Sequence, residues 1–429
     1  MQSADKDKNT AQCKIFNFPI YCFEFKVCLM NSNMEYSLKG RWHLLLNKKI
    51  VTVLWVLLPL IAVIGHINDN SINNYVIYRN VFHHTVDQSN LYQAYADQWG
   101  DLNHYGPFFS LVIMPFAILP DKIGVVCWVL ANAGFLFWAI RKLKIPETWK
   151  TAVLLLCLNE LLYTSGQVQA NALICGCILL TFIYIEEEKE YLAALFIIGG
   201  ALIKIYPIIG LAFFLFSRHR IKFFLWLLTW LIIFFLAPMV ISSWPFIIRS
   251  YSEWYYSLLE KSAMNIRLVE ASMDQDVSVM GMIRRLFHLT RLSDYFILAP
   301  CAFLFCCQYL RYKYFNDMRF RFYILCSVLI FTVIFSNGAE AATYIIALPG
   351  MCLWFLFQPK TKKNIIFFGL IFFFTTFLYS DIFISHSFRR EFAKPYSLKA
   401  LCPFILWITI LVQVYTKQFL KALYPVQAR

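Results

Sequence analysis

KIVTVLWVLLPLIAVIG, residues 49–65, runs straight into HINDNSINNYVIYRNVFHHTVDQSNLYQAYADQWGDLNHYGP, residues 66–107. The first stretch is apolar for about the length needed to cross hydrocarbon. The second is polar, aromatic and too long for a plain connector. This alternation of an apolar crossing with a structured polar interval recurs to the C-terminus and decides the fold. Lipid cannot satisfy bare backbone groups, so apolar runs of this length must be helices, and the chain reads as all-α.

Working outward, apolar runs are found near 49–65, 122–140, 151–164, 168–185, 191–206, 207–217, 222–241, 294–310, 321–337, 341–357, 363–380 and 398–416. We expect a polytopic integral membrane protein of about 11–13 helices. Pro107 to Pro120 is too short to cross, and parity of the loops requires it to return to its own side, so it reads as a re-entrant or interfacial helix. Sixty per cent of the 429 residues are hydrophobic and only 15% are charged. A soluble domain of that size would not carry such a composition.

Lys and Arg collect in 39–49, 141–150, 218–222, 311–321, 360–363 and the tail. By the charge bias of membrane proteins these mark the cytoplasmic side. The intervals 66–106, 164–167, 242–293, 337–340 and 381–397 then lie outside. The net charge of +14 is spread over separate short loops beside apolar spans, which fits anionic lipid and excludes a nucleic-acid partner. Of 13 cysteines, ten lie in or at the ends of spans, so free thiols are expected rather than a disulfide framework. Residues 1–48 read as a cytoplasmic arm, 49–416 as the transmembrane domain and 417–429 as a cytoplasmic tail. Met34 opens a short basic lead into the first span, and the natural chain is expected to begin there.

The interval 66–107 is the richest polar cluster. Tyr75, Tyr78, Val81, Phe82 and Val86 recur at helical spacing, which predicts an amphipathic helix on the membrane surface. Asp69, Asp87, Asp97 and Asp101 stand near the interface with Asn73, Asn74, Arg79, His83, His84 and His104. Such acids can take a proton from a hydroxyl, or simply cap helices and keep a loop wet. The adjacent His83 and His84 point about 100° apart on a helix and give no regular ligand spacing, so no metal is expected. Glu160, the pair Gln167 and Asn171, read as one helix face, and Lys204 are polar groups at membrane depth, where ionisable residues are functional candidates. Farther on, Asp274, Asp276, Arg284, Arg285, Asn337, Glu340, Asp381, Arg389, Arg390 and Lys394 supply acids, amides and outside cations suited to a phosphate or diphosphate.

Read in order, Asn-Asn-Tyr-Val-Ile-Tyr-Arg at 73–79, Asn90-Leu91-Tyr92, the stretch from Asp101 to Phe109, the short helix ending at Pro120, Gly166-Gln167 with Ala170-Asn171, and Ile203 to Pro207 resemble glycosyltransferase family 87. The resemblance covers roughly 50–400, and the later stretches look like those of Bacteroidetes members. It implies a GT-C type enzyme of the bacterial inner membrane, a hexosyltransferase, with mannosyltransferases among its relatives. Such an enzyme moves a sugar from a polyprenyl-phosphate donor to a lipid-linked or cell-envelope glycan acceptor on the periplasmic side, with inversion, among membrane lipids and without a cofactor. In that family an aspartate of the first outside loop is the general base. Here Asn73-Asn74 stands at the usual position, and an amide cannot take the proton, so the catalytic expectation moves to Asp101 and then Asp69. Substrate binding is expected from Asn74, Tyr78, Arg79, Tyr105, Gln167, Asn171, Lys204, Asn337, Glu340, Arg389 and Arg390, with Trp99 edging the sugar. The rival reading is a transporter or flippase of lipid-linked glycans. The inverted repeat common in transporters is not evident.

Overall fold

A computed structural model describes residues 46–69, 71–95, 101–267, 273–289, 291–379 and 384–423. The arm before residue 46, with its Met34 start, and Asp97, Trp99 and Asp381 lie outside the described residues. Within them every regular element is helical.

The chain enters through α1 (Lys48–Asn68), whose N-cap Asn47 accepts from the Lys49 amide. The predicted surface helix is α2 (Asn73–Asp87), and the predicted re-entrant segment is α3 (Phe109–Ala117). Helices α4 (Asp121–Lys142) and α5 (Glu147–Gly166) follow, then α6 (Asn171–Glu186) and α7 (Glu190–Ile203). Each of α4 and α5 begins with an acid after a proline, and α4 ends on Arg141 and Lys142. That arrangement complements the helix dipole. A 3₁₀ helix, Tyr206–Phe216, returns before α8 (Arg220–Leu236). Then come the long amphipathic α9 (Trp244–Arg267), the short α10 (Val279–Leu286), α11 (Tyr295–Cys307) and α12 (Met318–Ile334). The last elements are the 3₁₀ turn Ala341–Ile345, α13 (Ala347–Phe357), α14 (Lys362–Phe377) and α15 (Leu401–Tyr415).

Among the described residues five helical stretches are long and apolar enough to span a bilayer: Lys48–Asn68, Asp121–Lys142, Arg220–Val240, Tyr295–Tyr314 and Leu398–Tyr415. The shorter α6, α12 and α13 sit at the centre, with almost every side chain buried. On the periphery the reverse holds. Val53, Ile61, Ile221, Phe224, Ile232, Phe296 and Phe303 of α1, α8 and α11 are exposed. A soluble protein does not leave so large an apolar surface bare; lipid covers this one, and the chain is a multi-pass membrane protein. The ten described cysteines carry free thiols.

The basic clusters gather at one end. Arg141 pairs with Glu147, Lys142 with Glu187 at 3.6 Å, and Arg321 with Glu186 at 2.6 Å. We call this the basic face. The intervals read as outside gather at the other end, the loop face. There the Gly106 amide donates to the Ile203 carbonyl at 3.2 Å, and a Cβ on Gly106 would lie 2.2 Å from the Leu202 carbonyl oxygen. Only glycine lets the first loop seat against the end of α7.

Candidate functional site

The loop face is built around one polar chain. Lys204 caps α7 at the point where the helix breaks before Pro207. Its Nζ donates to Asn171 Oδ1 at 3.1 Å. Asn171 Nδ2 donates to Gln169 Oε1 at 2.5 Å, and Gln169 Nε2 donates to Glu340 Oε2 at 2.6 Å. Gln275 Nε2 reaches the other oxygen, Glu340 Oε1, at 3.2 Å. All donors run the same way, from an ammonium to a carboxylate, so each bond polarises the next. Four segments far apart in sequence are thereby joined.

The first loop forms a wall of this cleft. Tyr78 and Tyr105 share a 2.9 Å hydrogen bond between their hydroxyls, and the Lys204 ammonium lies 5.9 Å from the Tyr105 ring and 5.1 Å from the Tyr206 ring. Burial raises the Tyr78 phenol well above its usual value, and Tyr105, Glu340 and Asp101 add to that in turn. Glu340 and Asp101 thus both act on the Tyr78 hydroxyl. Asp101 is exposed, with one carboxylate oxygen accepting from the Leu102 amide at 2.8 Å.

α9 closes over the same loop. Trp254 Nε1 donates to the His104 carbonyl at 3.0 Å, and Ser257 meets both His104 and Asn103. Beyond Glu340, the Asp276 carboxylate accepts from Arg284 at 2.6 Å and from the Ser278 hydroxyl at 2.5 Å, while Arg285 binds the Asp276 carbonyl and Ser397. Asp276 and Ser397 both hold positive φ, 50° each, a strained conformation that surrounding contacts must enforce. A Cβ on Gly281 would meet the Asp276 carbonyl at 2.0 Å, so α10 can start only with glycine there. Lys394 reaches Asp274 at 2.7 Å, which ties the 384–397 segment to this group. Deeper, Lys399 pairs with Glu160 at 2.9 Å, donates to the Ala341 carbonyl at 3.2 Å, and is flanked by the rings of Tyr163, Tyr344 and Tyr379.

Of the residues singled out in the sequence, the cleft brings together Tyr78, Tyr105, Asn171, Lys204 and Glu340; Asp101 lies on the same loop as Tyr105. Others are engaged elsewhere. Arg79 is held by both oxygens of Asp121 at 2.6 Å. Asn337 donates to Asp294 at 2.6 Å and Ser262 at 2.7 Å. Asp69 is exposed at the C-cap of α1 and no described contact joins it to the cleft. Arg389 is buried and Arg390 exposed on the 384–397 segment.

One reading is corrected. Gln167 and Asn171 do not share a helix face, because α5 ends at Gly166 and α6 starts only at Asn171. Val168 between them has φ 56°, which a β-branched residue rarely adopts. The turn lifts Gln167 to the surface, where its carbonyl accepts from Asn74 at 2.8 Å, and sends Gln169 into the chain instead. Reading through the break at helical spacing missed Gln169. Lys399 and Gln275 were missed for want of any local pattern. Among the described residues no group of three or more His, Cys, Asp or Glu side chains gathers as metal ligands.

The family model described as glycosyltransferase family 87 matches residues 103–336, somewhat more than half of the chain. No curated protein matches the chain. The chain belongs to glycosyltransferase family 87 and is a membrane glycosyltransferase.

Proposed function

We propose that this member of glycosyltransferase family 87 is a GT-C type enzyme that transfers a hexose, mannose first among candidates, from a polyprenyl-phosphate donor to a lipid-linked or envelope glycan acceptor. The polar chain from Lys204 to Glu340, sealed by the first loop, is the single observation that carries this reading. A cation at one end suits the donor phosphate, and a carboxylate flanked by two amides at the other suits sugar hydroxyls.

The reaction is a direct displacement. The acceptor oxygen attacks the anomeric carbon as its proton passes to Asp101, the bond to the phosphate oxygen breaks, and the electron pair leaves with the phosphate toward Lys204. Attack from the face opposite the leaving group inverts the centre. Glu340, with Gln169, Gln275 and Asn171 around it, grips the transferred sugar, and Tyr78 and Tyr105 edge its ring. Arg389 and Arg390 border the entrance for the headgroup. The polyprenyl chain lies against the exposed apolar helices in the leaflet next to the loop face. By the charge bias of the loops, that face is the periplasmic side of a bacterial inner membrane.

The test is transfer of radiolabel from polyprenyl-phosphate hexoses to envelope lipids by the purified protein. Product formation that is lost in Lys204→Met supports the reading. Movement of intact donor across the bilayer without transfer overturns it in favour of a flippase.

A further inference from the structure

Glu340 stands at the head of the 3₁₀ turn Ala341–Ile345, and the backbone there is held from both sides. Before Glu340, the Val277 amide donates to the Ala339 carbonyl at 2.7 Å. After it, Lys399 Nζ donates to the Ala341 carbonyl at 3.2 Å, and the Thr164 hydroxyl donates to the Ala342 carbonyl. The Glu340 amide itself donates to Thr343 Oγ1 at 3.1 Å. The two sides are joined, because the Tyr344 hydroxyl donates to the Val277 carbonyl at 2.8 Å and the Tyr344 ring lies 5.0 Å from the Lys399 ammonium. Out of this frame the carboxylate reaches Gln169 and Gln275, whose amides hold one oxygen each.

Among the described residues that grip this backbone, Lys399 brings the charge. An ammonium has three hydrogens, and three acceptors meet it: Glu160 Oε1 at 2.9 Å, Glu160 Oε2 at 3.1 Å and the Ala341 carbonyl. Lys399 and Glu160 are 3% and 1% exposed, so neither charge is there to meet water. An ion pair at such depth is often no more stable than apolar side chains of similar volume. What an apolar pair lacks is a donor for Ala341. Lys399 rides on the short turn Leu398–Ala400, which starts from Ser397, and Glu160 belongs to α5. Anchored on both carboxylate oxygens, the ammonium cannot swing away without leaving a charge buried and unpaired, which is costly. The carbonyl next to Glu340 is therefore held by a donor with one place to stand.

We propose that Lys399, anchored by Glu160, is a positioning residue for glycosyl transfer, and that its grip on the Ala341 carbonyl sets where the Glu340 carboxylate meets the transferred sugar. This rests on the reading of Glu340 given above. Lys399 and Glu160 act through the backbone of one residue and need touch neither sugar nor phosphate. A displacement of about 1 Å in a substrate-positioning group can cost about 10²-fold in rate.

The experiment compares two variants, each made in the wild type and in Glu340→Gln. Lys399→Met with Glu160→Gln leaves no charge buried and removes the donor to Ala341. Glu160→Asp keeps the ion pair and draws the anchor back by one methylene. Transfer of radiolabel from polyprenyl-phosphate hexoses to envelope lipids is measured beside the melting temperature in detergent. With Glu340 in place, the double variant should lose about tenfold or more in kcat/KM while melting above Lys399→Met alone, and Glu160→Asp should show a smaller loss at a melting temperature near wild type. In Glu340→Gln neither change should cost anything further, because groups that act through one another are not additive. A purely structural pair would cost the same factor in both backgrounds. That result, or wild-type transfer by both variants, overturns this inference alone. If the double variant does not fold, Glu160→Asp with and without Glu340 decides by the same criterion. Absence of transfer by wild type to any acceptor overturns the glycosyltransfer reading and this inference with it.

Discussion

The two ends of the molecule use charge in different ways. On the basic face several pairs are short in sequence and partly wet: Lys150 with Glu147, Lys189 with Glu187, Arg319 with Asp317, although Arg218 with Glu188 and the buried Arg321 with Glu186 reach farther. On the loop face most partners are far apart in sequence and largely buried: Lys204 with Asn171, Gln169 with Glu340, Lys399 with Glu160; Arg284 with Asp276 is local but fully buried. Exposed pairs contribute little because water screens them and long side chains resist ordering. Buried ones must be fully partnered, since a lone buried charge is costly. The first end carries mostly exposed charge; the second holds distant segments in one geometry.

Removing one member of the deepest loop-face pair should have the largest effect. Lys399→Met leaves Glu160 buried without its cation and should lower stability by about 3–5 kcal/mol, read as a fall in the melting temperature in detergent. Lys399→Met combined with Glu160→Gln should recover much of that loss. A double variant as unstable as the single one would show that the aromatic surround, rather than the charge, is what the site requires.

Lys204→Met tests the chain that feeds the cleft. Losing a cation placed where negative charge develops should reduce kcat by about 10²–10³-fold, with the melting temperature changed far less than by Lys399→Met. Asp101→Asn should reduce kcat by about 10²-fold, the low end for removal of a general base. Asp69→Asn, on the same face but off the cleft, should transfer at the wild-type rate. Equal losses in the two aspartate variants would remove the distinction between Asp101 and Asp69.

His104 sharpens the comparison through pH. Its folded value is about 4 against an ordinary 6.5, so between those values the unfolded chain binds a proton that the folded chain does not. Stability therefore rises with pH across that window and is lost as pH falls from about 6.5 toward 4, by at most about 3 kcal/mol. His104→Gln should flatten that slope in melting curves taken from pH 7 to pH 4. The smallest effect belongs to the basic face. Arg218→Ala, which removes an exposed partner of Glu188, should change stability by no more than about 0.5 kcal/mol and leave transfer intact.

The apolar helices were legible because lipid imposes one rule on every residue of a run, so 122–140 and 363–380 could be marked before any contact was known. α4 and α14 were found there, as Asp121–Lys142 and Lys362–Phe377. The helices at 73–87 and between Pro107 and Pro120 were readable because periodicity and proline are local. The site was legible only in part. Lys204, Asn171, Glu340 and Tyr105 announce themselves as polar or aromatic groups beside apolar runs. The turn at Val168, by contrast, depends on packing around it, and so exchanged Gln169 for Gln167.

By itself, then, the sequence determined that this chain is a bundle of membrane helices with a polar end and a basic end, because hydrophobic length and charge bias are summed along the chain. Which polar groups meet was decided by the tertiary structure alone. A hydrogen bond such as Gln169 to Glu340 spans 171 positions, and its partner is chosen by how α5, α6 and the turn before α13 pack, a property that no local window of residues contains.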